Sequence, residues 1–170
     1  FVGSPQWVQG YQGGGVHFTA EGQIVLYSFA AATPWQSGTL TVWVKADSLG
    51  QDTNSSVFSS HVPNTAGFQI DVNGSNPGSY RMQPGGILFG TVTTDWIHLA
   101  LAWDGTSATL YYNGSLAATR TVTATNMTFN QFALGINRNA VNSLMAVFDD
   151  LRVYDVALTQ AEIQQTMIIV

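Results

Sequence analysis

Ten acidic side chains serve a chain of 170 residues, and two of them, Asp149 and Asp150, are adjacent inside the apolar stretch VFDDLRVYDVALTQAEI (147–163). Leu151 and Val153 alternate in a strand pattern, which predicts that Asp149 shares their inward face. Asp150 then points with Arg152 to the other face. An ionised carboxylate facing a core costs several kcal/mol unless it is paired or bound to a metal. Three partners meet that need: an arginine such as Arg138 or Arg120, a set of backbone N–H groups, or a hard cation with its six to eight oxygen ligands. The alternation therefore predicts a buried, structural Asp149 and a more solvated Asp150.

Catalysis finds little support in the residue set. Glycoside hydrolysis needs two carboxylates roughly 5–10 Å apart across one bond. Glu21 and Glu162 are the only glutamates, and Glu162 is placed to cap a helix. Asp47, Asp52, Asp95, Asp104 and Asp155 fall mostly in turns, and the expected opposite faces of Asp149 and Asp150 forbid a pair. His17, His61 and His98 lack metal-ligand spacing. There is no cysteine and no Gly-x-Ser-x-Gly elbow. The Tyr, His and Arg of a polysaccharide lyase are present by composition alone. The expectation is a chain that is not an enzyme.

Recognition is better served. Trp7, Tyr11, Trp35 and Tyr80 sit among Gly, Pro, Gln and Ser, as loop aromatics do. A flat ring with a polar edge suits the apolar face and hydroxyl rim of a sugar. Gln36, Arg81, Asn137 and Arg138 are available to read the hydroxyls. Trp43, Trp96, His98 and Tyr111 alternate against aliphatic neighbours and are expected to brace a sheet.

Charge narrows the partners. The net charge is -5, and the five basic residues, Lys45, Arg81, Arg120, Arg138 and Arg152, do not cluster. That excludes a nucleic-acid footprint and a basic membrane patch. No apolar run reaches the length of a transmembrane helix. No signal peptide is visible at Phe1-Val2-Gly3-Ser4, so the chain reads as a mature or excised module. Few charges with many Gly, Ser, Thr and Asn suggest an extracellular or secreted surface.

The elements that must position these residues are short strands. TLTVWVKA (39–46), GFQIDVNG (67–74), WIHLALAW (96–103) and ATLYYNG (108–114) alternate with period two. WDGTSA and YNGS carry the Asp-Gly and Asn-Gly pairs of tight hairpins. The length suits one domain over 1–170, an antiparallel β-sandwich. LTQAEIQQTM opens with Thr159 three residues before Glu162, a capping box, so one short C-terminal helix is expected. Leu158 would pack on Ile163, and the helix would close one end of the sandwich.

LTVWVKAD, WIHLALAWDGTSATLYYNGSL, FALGIN and FDDLRVYDVALTQAEI occur in this order. Together they resemble the laminin G-like and pentraxin-like group of concanavalin A-like jelly-roll domains, over roughly residues 12–164. The resemblance implies an all-β fold of two antiparallel sheets packed as a jelly roll. It also implies a structural calcium held by an early acid and the late aspartate. Here these would be Glu21 and Asp149, with Asp150 in reserve. VHFTAEGQIVLYSF departs from that pattern, since Glu21 is its only acid.

The leading expectation is a non-catalytic carbohydrate-binding module of a larger secreted protein, with a polysaccharide or glycan as partner. One alternative is a structural or adhesive module of an extracellular or viral surface assembly. Self-assembly would then use the apolar C-terminal segment MIIV (167–170). A lyase or hydrolase is the second alternative.

Overall fold

The alternating segments become strands in the computed structural model, which describes residues 1–28, 36–60, 68–74, 76–122 and 131–168. Among them are β1 (Gln6–Gln9), β2 (Gly14–Phe18), β3 (Val25–Ser28), β4 (Gly38–Ala46), β5 (Ser56–Ser59), β6 (Gln69–Val72) and β7 (Tyr80–Gln83). There follow β8 (Ile87–Phe89), β9 (Ile97–Trp103), β10 (Ser107–Tyr112), β11 (Ser115–Thr121), β12 (Gln131–Leu134), β13 (Ala146–Tyr154) and helix α1 (Gln160–Thr166). A seven-stranded sheet runs β1-β2-β13-β4-β9-β10-β11, and a six-stranded sheet runs β3-β12-β5-β6-β7-β8. Neighbouring strands are antiparallel throughout. This is the jelly-roll sandwich that the strand pattern and the resemblance led us to expect.

The core lies between the sheets. Leu40, Val42 and Val44 of β4 and Ile97, Leu99, Leu101 and Trp103 of β9 face Phe58, Ile70, Val72, Tyr80 and Met82. Each such side chain stabilises the fold by roughly 1.5–3 kcal/mol relative to exposure. Thr159 caps α1, and both halves of the capping box are formed. The helix does not close an end of the sandwich as expected. Ile163 is fully buried against Ala100, Ala102 and Tyr111, with Leu158 packed alongside. Those alanines are the outward positions of β9, and their small side chains leave a trough on the sheet's outer face. No helix among the described residues is long and apolar enough to cross a membrane.

The alternation of β13 breaks at the aspartates. Ala146 and Phe148 point into the core, as Leu151 and Val153 do. Both sets face inward because β13 carries a bulge. Asp149 pairs with Trp43 and Arg152 with Thr41, so three steps on β13 oppose two on β4. Asp150 is the extra residue and takes φ 49°. Asp149 therefore faces outward beside Trp43, and the inward placement drawn from Leu151 and Val153 is corrected. The expected opposite faces of the two aspartates are corrected as well, because both line one cleft.

Candidate functional site

The outer face of β6 and β7 carries four polar side chains in two cross-strand pairs, Gln69 with Gln83 and Asp71 with Arg81. Period two puts them there, because Ile70, Val72, Tyr80 and Met82 fill the inner face. Asp71 is 0% exposed although it lies on the outer face, because its neighbours fold over it. Arg81 donates to both of its oxygens, Nε to Oδ1 at 2.9 Å and Nη2 to Oδ2 at 3.0 Å. Gln69 Nε2 donates to Oδ2, and Arg81 also donates to the side-chain oxygen of Asn54. Gly74 makes this arrangement feasible, since a Cβ there would fall 2.2 Å from the Arg81 guanidinium carbon. The pair is forked and charge-assisted, which fixes both rotamers.

The chain after β12 completes the rim. Buried Asn137 accepts from the N–H groups of Asn139 at 2.9 Å and Val141 at 3.2 Å, closing a tight turn. The N–H of Arg138 donates to Gln69 Oε1 at 3.2 Å, which ties that turn to the sheet. The result is a pocket of about 310 Å³ lined by Asn54, Gln69, Arg81, Gln83, Asn137, Arg138 and Asn139. Burial pulls the Arg138 guanidinium below its ordinary pKa; Asp71 opposes that shift and Arg81 reinforces it. The pocket thus presents amide and guanidinium donors and amide acceptors on a wall held in place from beneath.

The predicted sugar-binding residues separate into groups. Arg81, Asn137 and Arg138 meet in this pocket. Tyr80 is no loop aromatic; it is 1% exposed in β7, and burial pushes its phenol pKa up. Tyr11 is 36% exposed and stacks on Trp43, ring centroids 3.6 Å apart, on the outer face of the other sheet. Trp7 is 72% exposed and meets Phe1 edge-on at 5.6 Å. Trp7 and Phe1 border a cleft of about 230 Å³ that Asp149 and Asp150 also line. Trp35 and His61 lie outside the described residues, as do the last two residues of the C-terminal segment.

The three acids assigned to calcium occupy two places. Glu21, after β2, accepts from Ser143 N–H at 3.0 Å. Asp149 is held before β2, where it accepts from Gln12 N–H at 2.7 Å and Asp150 N–H at 2.8 Å. Asp150 pairs with Arg152 Nε at 2.8 Å. Glu21 and Asp149 thus stand at opposite ends of β2, each engaged with backbone donors. No group of three or more His, Asp or Glu side chains gathers to hold a metal among the described residues. The set does not fit one shared ion. Of the partners considered for Asp149, backbone N–H groups are the ones it has.

Asn54, Gln69, Asp71, Gln83 and Asn139 were missed as site residues. GFQIDVNG already showed Gln69 and Asp71 alternating outward. The same period in YRMQ sets Tyr80 and Met82 against Arg81 and Gln83, but four residues between turns are too few for the pattern to stand out. Asn54 and Asn139 come from loops, where the sequence carries no such signal.

Comparison with known proteins agrees with this architecture. A laminin G family model described as the concanavalin A-like lectin/glucanases superfamily matches residues 18–164. Among curated proteins none matches the chain. Among solved structures, domain 4 of AbnA, a GH43 extracellular arabinanase from Geobacillus stearothermophilus in complex with arabinotriose, superposes with TM-score 0.70 at 20% identity. The alignment covers 96% of this chain and 81% of that domain. The botulinum neurotoxin type G receptor binding domain gives 0.72 at 12% identity, covering 96% of this chain and 44% of that one. Trypanosoma rangeli sialidase in complex with the inhibitor DANA gives 0.71 at 16%, covering 98% of this chain and 28% of the sialidase. At these identities the likeness is one of fold, and the larger proteins extend well beyond the matched region. The family match spans most of the sequence, and on it the chain belongs to the concanavalin A-like lectin/glucanases superfamily.

Proposed function

We propose that this chain is a non-catalytic glycan-binding module, part of a larger secreted protein, and that it binds through the polar pocket on the six-stranded sheet. One observation carries the reading: Asp71, Arg81 and Gln69 lock one another into a buried network that presents Arg and amide groups to solvent. A site that is already ordered loses little entropy on binding, and shallow glycan sites depend on that. The groove beside Lys45, Asp47 and Trp96 is similar in size. It is the weaker candidate, because Lys45 is exposed and Asp47 is engaged with His17. Domain 4 of AbnA, similar in fold, was solved with arabinotriose, which supports a saccharide as ligand class. The reading assigns no catalytic step to the site: Asp71 lies beneath the pocket, paired with Arg81 and Gln69. It assigns calcium no role in the pocket, whose lining does not include Glu21, Asp149 or Asp150.

Affinity electrophoresis through gels containing plant and algal polysaccharides tests the proposal. At least one polysaccharide should retard the protein equally with calcium and with chelator. Gln83→Ala should weaken that retardation while Trp7→Ala leaves it intact. The reverse pattern would move the site to the cleft beside Phe1. Retardation by no polysaccharide would end the glycan reading, and product release over time would replace it with an enzyme.

A further inference from the structure

The charges around the pocket do not cancel. Arg81 and Asp71 neutralise each other across the β6–β7 pair. Arg138 brings a second guanidinium to the rim, and the charges acting on it are those of Asp71 and Arg81. The other lining side chains are uncharged amides. Two guanidinium groups against one carboxylate leave one positive charge among the described residues. None of the chain's ten acids lies in the segments outside them, so no acid from there cancels the excess.

That local charge stands out on a chain of net charge -5. A partly buried guanidinium in a pocket of net positive charge attracts an anion, and its fork matches a carboxylate or a sulfate. The amides of Gln69, Gln83 and Asn54 can donate and accept, which suits hydroxyl groups beside the anion.

We propose that the glycan bound here carries an anionic group, a carboxylate or a sulfate ester, seated on Arg138 while the amides read its hydroxyls. This rests on the pocket being a glycan site, and it adds the ligand's charge class. Bulk electrostatics works against a polyanion here, so a preference for one reports the pocket itself.

Matched polymer pairs test it: polygalacturonate against its methyl ester, and dextran sulfate against dextran, with arabinan as a further neutral polymer. The acidic member of one pair should bind about tenfold more tightly than its neutral partner, and which pair does so separates carboxylate from sulfate. Arg138→Gln should remove that preference and Arg138→Lys retain part of it, with melting curves recorded to show that each variant is folded. Raising the salt should weaken the acidic polymer selectively. Equal binding of acidic and neutral polymers would overturn the charge assignment and leave the glycan reading standing. A preference that survives in Arg138→Gln would overturn it too. Binding of none of the five would remove the glycan reading itself.

Discussion

A carboxylate that accepts from two backbone N–H groups cannot be deleted without leaving both short of a partner. Asp149→Ala should therefore cost about 1–3 kcal/mol, from the amides of Gln12 and Asp150. Asp150→Ala breaks a half-exposed pair with Arg152 and should cost under about 1 kcal/mol. Denaturant melts check the difference, and each should coincide in calcium and in chelator. His98 offers a second test. It is 1% exposed beside Trp43, and no described residue partners its Nδ1. Desolvation pulls its pKa from 6.5 to about 4; Asp150 opposes the shift and Arg152 reinforces it. The unfolded chain thus takes up this proton first as the pH falls. The stability this adds is complete above pH 6.5 and is lost progressively towards pH 4, on the order of 3 kcal/mol in all. Melts across that range should show the slope, and His98→Gln should flatten it.

At the scale of the element, α1 depends on one side chain. Ile163→Ala should cost about 2–5 kcal/mol, because the trough formed by Ala100 and Ala102 cannot collapse around a smaller residue. Hydrogen exchange should then show α1 opening while the sheets stay protected. The cap and the contact of this helix were legible in the sequence, from Thr159, Glu162, Leu158 and Ile163. Its docking place was not, because it depends on which strand offers small residues outward. β4, β6, β9 and β10 were legible because their two faces meet different environments. The bulge in β13 was hidden for the opposite reason. One inserted residue preserves an apparently regular alternation on either side, so Leu151 and Val153 gave Asp149 the wrong face. For the site, Arg81, Asn137 and Arg138 were found by residue type. Tyr80 was misplaced because the turns around it masked a four-residue strand.

At the scale of the whole molecule, the two sheets treat their outer faces differently. Part of the seven-stranded one lies under α1 and part under Tyr11, while the six-stranded one carries the open polar pocket. A module that binds alone through that pocket should be a monomer with or without residues 167–170. Light scattering checks this, and a dimer lost on truncation would favour assembly through the exposed Ile168 and its neighbours. The composition of the pocket wall also has a calorimetric consequence. Every residue lining it is Asn, Gln or Arg. Filling it removes little apolar surface from water, and the heat capacity of association follows apolar burial. Titration calorimetry at several temperatures should therefore give a binding enthalpy that barely changes between them. A ligand stacked on Trp7 would instead make that enthalpy steadily more favourable as the temperature rises.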